Sequence, residues 1–237
     1  MNDYSYLEQE QSIDFSRTFS VLMRNVYTWM ALGLLMTALT SLYVVRSENI
    51  MYAIVSKPAL MWGLIIAELA MVIILSTRIM KMSFLTAGLM FAAYAILNGV
   101  TMSFIFMVYT MESIAQTFFI TAGTFAGMSA LGFFIKKDLS TMGRMLYMLL
   151  IGLIIATIVN IFVKSSGLGM VLNYIGVLVF VGLTAYDTQK IKNMLTVYSE
   201  AGINDQTNKL ALMGSLSLYL DFVNLFLYLL RFMGNRR

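Results

Sequence analysis

The chain has 237 residues, of which 59% are hydrophobic and 12% are charged, with a formal net charge of +4. A soluble domain of this size could not cover so much apolar surface, so the composition predicts an all-α membrane protein. The sequence contains neither cysteine nor histidine. Their absence excludes disulfides, thiol chemistry, and any catalysis or metal binding that depends on histidine.

Apolar windows predict seven transmembrane helices joined by short connections. The spans cover about 26–45, 59–77, 84–109, 114–135, 145–163, 170–189 and 210–231. They form one transmembrane domain, 23–233, between a polar cytoplasmic N-terminal tail, 1–22, and a short basic C-terminal tail, 234–237. The connections between spans are too short to contain a soluble catalytic or ligand-binding module.

The basic residues predict the orientation of these spans. With the N-terminus in the cytoplasm, ten Lys and Arg residues lie on the cytoplasmic side and six on the opposite side. The positive-inside rule therefore predicts a cytoplasmic N-terminus and a C-terminus on the other side. The net positive charge is a topology signal, and nucleic acid is not expected as a partner.

The second span contains an acidic residue, Glu68, near its middle, and Arg78 follows near its cytoplasmic end on roughly the same helix face. Glu68 is interpreted either as a packed, protonated side chain or as a residue of an ion path. Arg78 most simply flanks the span on the cytoplasmic side. The alternative is a counter-ion to Asp187, because both residues are predicted at the same membrane depth.

The fourth and sixth spans carry two further signals. Gly123 and Gly127 form a G-x-x-x-G pattern, which predicts a close helix crossing. Asp187 lies near the cytoplasmic end of the sixth span, where contact with water would explain a carboxylate. The helix dipole disfavours a negative charge at that end, however, so a functional role is the competing interpretation.

The last span contains the most informative residue, Asp221. At about 1.5 Å per residue it lies roughly 16 Å from either end of the span, near the centre of a hydrocarbon layer about 30 Å thick. A charge there costs at least about 2.5 kcal/mol, so such residues usually face a protein interior or a water-filled path. A neutral carboxyl bonded to a neighbouring helix is the structural alternative. Helical spacing places a seam of other residues on the same face: Gly214, Ser217, Asn224, Tyr228 and Arg231.

Three segments resemble a known family. They are RNVYTWMALGL at 24–34, AYDTQ at 185–189 and SLSLYLDFVNLFLYLLR at 215–231. Together they resemble the Bax inhibitor-1 family of transmembrane Bax inhibitor motif proteins, especially its bacterial members. The resemblance covers essentially the whole chain. It implies seven helices, with the last helix central within the other six.

The resemblance also implies a function, which is a passive, pH-sensitive calcium leak gated by an aspartate pair. The matching positions are Asp187 and Asp221, with Arg78 as a latch and Glu68 further along the ion path. Two carboxylates that share a site titrate as a unit, because they cannot both ionise cheaply. Calcium prefers about six to eight oxygens, which these side chains and Asn224 cannot supply without water. We therefore expect weak, transient calcium binding at the pair and no resident cofactor.

Two other functions remain open. Aspartates on the sixth and seventh helices also occur in intramembrane aspartyl proteases, but the bulky Leu218 and Leu220 stand where the second protease motif, G-x-G-D, needs small residues. An enzyme is therefore not expected. The other alternative is a regulator that binds a second membrane protein, such as a membrane protease, although no surface feature identifies that partner. The expected partners are the lipid bilayer, calcium ions and protons, and the expected location is a bacterial plasma (inner) membrane.

Overall fold

A computed structural model describes the backbone of residues 3–237 and the side chains from residue 15 onward. The beginning of the predicted N-terminal tail, 1–2, and the side chains up to 14 lie outside the described residues. Short 3-10 turns lie at Ile79–Lys81 and Ser199–Ala201. The α-helices are α1 (Asp3–Arg46), α2 (Glu48–Val55), α3 (Pro58–Arg78), α4 (Phe84–Met102), α5 (Ile105–Val108), α6 (Met111–Phe134), α7 (Ser140–Val163), α8 (Ser166–Tyr198) and α9 (Asp205–Met233).

Seven of the described helical segments are long and apolar enough to cross a membrane, which confirms the predicted fold class. Several helices extend beyond the predicted spans. The sixth span was predicted over 170–189, whereas its helical segment runs over Ser166–Ala201. A hydropathy window ends where the charged residues Lys190 and Lys192 begin, but charged residues continue a helix readily.

The last helix, α9, is buried within the others, as predicted. In its most apolar 18-residue window 72% of the residues are buried, compared with 6% to 39% in the other six spans. A helix that is surrounded by protein needs apolar residues on every side. Among the polar residues in the middle of α9, Ser215 and Asp221 are buried, and Ser217 and Asn224 are half-buried.

The chain divides into two compact units. The first unit contains the chain up to Ser103 together with Ile191–Ser217, and the second contains Phe104–Lys190 and Leu218–Arg237. Helices α8 and α9 thus contribute residues to both units.

In the first unit, hydroxyl groups of α1 bind the backbone of α4. Thr37 Oγ1 donates to the carbonyl of Ala95 at 2.9 Å, and Ser41 Oγ donates to the carbonyl of Gly99 at 2.7 Å. A Cβ at Gly99 would lie 2.6 Å from the Thr37 carbonyl oxygen. Glycine and small hydroxyl residues therefore let these two helices approach closely, as is usual between membrane helices.

In the second unit, the close helix crossing is not where the sequence predicted it. A Cβ added at Gly123 or Gly127 would have no atom within 4 Å, so the prediction for this G-x-x-x-G pattern is wrong. Instead α6 approaches α8 at Gly132, where a Cβ would lie 2.8 Å from the carbonyl carbon of Ala185. The pattern predicts that backbones can approach, but it does not show which helix face has a neighbour.

The segment after α9 is bound to the connection between α5 and α6. Thr110 N donates to the carbonyl of Asn235 at 3.2 Å, and Arg237 N donates to the carbonyl of Val108 at 3.0 Å. Asn235 N also donates to Ser113 Oγ at 2.8 Å. The end of the seventh span therefore lies at the same end of the second unit as the connection between the third and fourth spans. Consecutive spans cross the membrane in alternating directions, so the third and seventh spans end on the same side. The hydrogen bonds agree with this rule.

Candidate functional site

Two buried carboxylates lie together in the second unit. Asp187 belongs to α8 and Asp221 to α9, and each side chain is only 4% exposed. Their charges interact electrostatically. Because α9 is surrounded by protein, Asp221 faces the interior, and α8 brings Asp187 to it near the end of its apolar part.

A tyrosine and a lysine accompany the pair. Tyr147 of α7 donates from its hydroxyl to Asp187 Oδ1 at 3.2 Å. Its ring meets the ring of Tyr186 edge to face, with centroids 6.0 Å apart. Lys190 Nζ lies 5.9 Å from the Tyr147 centroid and 6.0 Å from that of Tyr186, within the range of a cation–π interaction. The Lys190 charge also acts on both Asp187 and Asp221.

One oxygen of the pair has no partner. Asp221 Oδ2 is buried and makes no hydrogen bond with any described residue. An ionised oxygen without a partner is costly in an apolar interior. A proton on this oxygen would remove the charge and create a donor, and a cation would balance the charge. The two aspartates therefore differ in their environments, because Asp187 has a fixed donor and Asp221 Oδ2 has none.

The pair does not form a strong metal site. Among the described side chains, no group of three or more acidic residues is close enough to hold a metal ion. Two carboxylates supply about four oxygens, fewer than the roughly six to eight that calcium prefers. A cation at the pair would therefore keep part of its water shell.

The residues around Asp187 fix α8 to its neighbours. Thr188 lies 3.1 Å from Ser129 of α6, hydroxyl to hydroxyl. Gln189 Oε1 accepts from Leu139 N at 2.8 Å, and its Nε2 donates to the carbonyl of Lys137 at 2.9 Å. The A-Y-D-T-Q segment thus packs closely on α6 and holds the loop between α6 and α7. It also places Tyr186 beside Lys190 and contributes Asp187 to the pair.

Two glycines admit aromatic rings where α7, α8 and α9 pack together. A Cβ at Gly143 of α7 would collide with the ring of Tyr186, 2.5 Å from its Cδ2 atom. A Cβ at Gly176 of α8 would collide with the ring of Tyr228 of α9, 2.7 Å from its Cγ atom. Gly143 therefore sets how closely α7 packs on α8, and Gly176 sets how closely α8 packs on α9.

The other predicted site residues lie elsewhere. Glu68 is half-buried in the first unit, where Thr101 Oγ1 donates to its Oε1 at 2.6 Å. Arg78, also in the first unit, is exposed, and it forms no ion pair with a described carboxylate. Asn224 is in the second unit, but its Nδ2 donates to the carbonyl of Leu220 in its own helix at 2.8 Å. Its hydrogen bond is local, so the structure does not use it to join two helices.

Tyr147 and Lys190 are members of the site that the sequence did not predict. Lys190 is one of the ten basic residues on the predicted cytoplasmic side, and it follows Asp187 by three positions and so shares its helix face. That spacing was a usable signal. Tyr147 belongs to a different helix, and no spacing in the sequence connects it to Asp187.

Comparison with known proteins agrees with this architecture. A family model described as "Inhibitor of apoptosis-promoting Bax1" matches residues 19–237. The inner membrane protein YbhL of Escherichia coli K12 is 49% identical over 217 residues, which cover 91% of this chain and 92% of the relative. An uncharacterized protein of Borreliella burgdorferi is 42% identical over 233 residues, 97% of each chain. An uncharacterized membrane protein of Streptococcus pyogenes, SpyM3_0260, is 35% identical over 238 residues, 99% of each chain. The chain is therefore a multi-pass membrane protein that belongs to the Bax inhibitor-1 family.

Proposed function

We propose that this protein is a passive, pH-sensitive calcium leak gated by Asp187 and Asp221. One observation carries the proposal: two interacting carboxylates of α8 and α9 are buried, and one of their oxygens has no hydrogen-bond partner among the described residues. The relative in Escherichia coli is named an inner membrane protein, which supports a bacterial inner membrane as the location.

The proposed gate is the protonation state of the pair. Two neighbouring carboxylates in a medium of low dielectric constant repel each other strongly when both are ionised. A proton shared by Asp187 and Asp221 removes this repulsion and ties α8 to α9, and its loss separates them. Because Tyr147 anchors Asp187, the change falls mainly on Asp221 and on the contact of α9 with α8.

The same two carboxylates, Asp187 and Asp221, would also allow calcium to pass. A carboxylate lowers the electrostatic cost of a divalent cation inside the membrane, and a pore must bind its ion weakly enough to release it. Two carboxylates without a third acidic neighbour among the described side chains meet this requirement, since they attract calcium but cannot complete its shell. We therefore propose transient calcium binding at the pair and no stored metal ion.

We also propose the roles that the family resemblance implies for Arg78 and Glu68. Arg78 would stabilise one state of the gate as a latch, and its exposed guanidinium has no competing ion pair with a described residue. Glu68 would line the path, and its bond from Thr101 leaves its second oxygen available for a cation. Lys190 lies beside the pair in the second unit and is a second candidate for the latch. Flux measurements on Arg78→Gln and Lys190→Gln would show which cation controls the pH response.

The surroundings of Asp221 also support a role other than proteolysis. The side chain of Leu218, three residues before Asp221 and therefore on the same helix face, is fully buried. An intramembrane aspartyl protease needs space beside its aspartates for the backbone of its substrate. The bulky, buried side chain of Leu218 stands where such a protease needs a small residue.

The test is calcium entry into dye-loaded proteoliposomes from about pH 5 to pH 8, because a coupled carboxylate pair at a functional site is expected to respond to pH. Wild type is compared with Asp187→Asn and Asp221→Asn. Asp138→Asn is the matched control, because Asp138 is a fully exposed loop carboxylate of the second unit. The proposal predicts that the pH dependence is lost in the first two variants and retained in the control. Wild-type flux equal to that of empty liposomes at every pH would contradict it.

A further inference from the structure

A basic cleft lies in the second unit, at the end that contains the C-terminus of α7, the N-terminus of α8 and the C-terminus of α9. Its volume is about 680 Å³. It is distinct from the aspartate pair, because at least 13 residues of α8 separate its lining from Asp187, roughly 20 Å along the helix. The polar residues that matter most for its chemistry are Asn160, Lys164, Ser165, Arg231 and Arg236.

The charge of this cleft has one sign. Lys164, Arg231 and Arg236 line it, and no carboxylate does. Within the part of the chain that the structure describes, none of the three cations forms an ion pair. Arg231 lies 5.3 Å from the ring centroid of Tyr228, a cation–π contact that orients the guanidinium and leaves its charge uncompensated. Such a site repels calcium and attracts an anion.

The backbone at Lys164 is unusual. Lys164 is the C-cap of α7 and has φ 52°, in the left-handed region that glycine normally occupies. Asn160 fixes this turn, because its carbonyl accepts from Lys164 N at 2.8 Å and its side-chain Oδ1 accepts from Ser165 N at 3.1 Å. A lysine where glycine would be easier places a charged side chain at the cleft.

The first turn of α8 adds to the positive potential. Ser166 and Gly169 of this 33-residue helix line the cleft. The amides at a helix N-terminus favour an anion, particularly a phosphate group. The dipole therefore acts in the same direction as the three cations.

Apart from Asn173, the rest of the lining is apolar or aromatic. Tyr174 and Phe232 have ring centroids 4.8 Å apart and are 49% and 47% exposed. Exposed aromatic residues at helix ends are typical of the interface between membrane and water. A free inorganic anion has no apolar part that could contact these rings. A phospholipid has both a phosphate, for the cations, and an acyl chain, for the rings.

We propose that this cleft binds the phosphate group of an anionic phospholipid at the membrane surface, in the leaflet that the C-terminus of α7 reaches. Lys164, Arg231 and Arg236 hold the phosphate, and Tyr174 and Phe232 pack against the glycerol and the upper acyl chain. The proposed topology places this leaflet opposite the cytoplasm. The inference does not depend on calcium conduction, because it uses none of the residues of the gate.

Native mass spectrometry of the full chain in detergent tests the proposal. The probes are phosphatidylglycerol, phosphatidylcholine and inorganic phosphate, each titrated separately. The variants are Lys164→Gly, Arg231→Gln and Arg236→Gln. Lys164→Gly removes the charge and relieves the left-handed backbone, so loss of folding cannot explain lost binding. Lys57→Gln, at an exposed lysine of the first unit, is the matched control.

The proposal predicts that phosphatidylglycerol binds at least tenfold more tightly than phosphatidylcholine. Each cleft variant should weaken binding about fivefold, the effect of one basic residue near an anionic lipid surface, and Lys57→Gln should not. Binding of inorganic phosphate that depends on the three cations, without preference for phosphatidylglycerol, would overturn the lipid as the source of the phosphate. Lipid binding that is unchanged in all three variants would overturn the site.

Discussion

The contact between α6 and α8 yields the sharpest prediction, because a single methyl group tests it. Gly132 lies against the backbone of Ala185, two residues before Asp187, and a Cβ at Gly132 would lie 2.8 Å from the Ala185 carbonyl carbon and 2.9 Å from its Cα. The atoms in the way belong to the backbone of a long helix and cannot rotate aside. Gly132→Ala must therefore push the two helices apart.

The magnitude follows from two opposing effects. Replacing glycine by alanine inside a helix stabilises it by about 1 kcal/mol, and overpacking a close contact costs about 1–3 kcal/mol, occasionally more. Gly127 of the same helix has no atom within 4 Å of its Cβ position, so Gly127→Ala carries only the first effect. The free energy of unfolding of Gly132→Ala should thus be lower than that of Gly127→Ala by about 3 kcal/mol, at the upper end of the overpacking range.

The assay is reversible unfolding in mixed micelles of a mild detergent and dodecyl sulfate, followed by circular dichroism. Wild type, Gly127→Ala and Gly132→Ala are compared at one pH. We expect Gly127→Ala to be as stable as wild type or slightly more stable, and Gly132→Ala to be clearly less stable. Equal stability of the two variants would refute the close approach of α6 and α8.

Three further predictions concern the groups around the pair. Tyr147→Phe removes the donor to Asp187 and should lower the free energy of unfolding by about 1–2 kcal/mol, an effect that should largely vanish when Asp187 is already alanine. Gln189→Glu keeps an acceptor for Leu139 N but loses the donor to the loop carbonyls, so the free energy of unfolding should fall by about 1–3 kcal/mol. At Asp138, hydrogen bonds from the hydroxyl and the backbone amide of Ser140 hold the pKa of the carboxyl below its ordinary 3.8. The stability that Asp138 contributes is therefore complete above pH 3.8 and lost as the pH falls through the lowered value, and the difference in Tm between wild type and Asp138→Ala should shrink below that pH.

Each of these predictions can fail separately. Additive effects of the changes at Tyr147 and Asp187 would mean that the hydroxyl does not act through this carboxylate. Wild-type stability of Gln189→Glu would mean that the loop does not depend on the amide donor. A difference for Asp138→Ala that stays constant to the lowest pH would mean that the hydrogen bonds do not favour its ionised form.

The fold could be predicted from the sequence because hydropathy and helix length are constrained by the membrane itself. The thickness of the hydrocarbon layer sets the length that an apolar segment needs to cross the membrane. Seven segments of that length can be counted in the sequence. The ends of the helices were predicted less accurately, as in the sixth span. A helix can continue beyond the apolar segment with charged residues such as Lys190. The burial of the last helix was predicted from the family resemblance, and its polar residues within an apolar span agreed with it.

The contacts of the candidate site were only partly predictable. Asp221 was identified because a carboxylate deep in an apolar span requires a partner or a function. Tyr147 could not be found, since only the tertiary structure brings α7 to Asp187. The prediction of a crossing at Gly123 was wrong and Gly132 was overlooked for the same reason: a glycine pattern does not reveal which face of a helix meets another.

The central claim is that protonation of the aspartate pair controls calcium flux, and Asp221→Asn tests it most directly. Asparagine keeps the size of the side chain but cannot ionise, so the pair can no longer exchange its shared proton at this position. Initial calcium entry into proteoliposomes is measured across the same pH range for wild type and Asp221→Asn, with Asp138→Asn as the control. The account predicts a pH-dependent flux in wild type and control and a flux independent of pH in Asp221→Asn. A pH dependence of Asp221→Asn that is identical to that of wild type would contradict it.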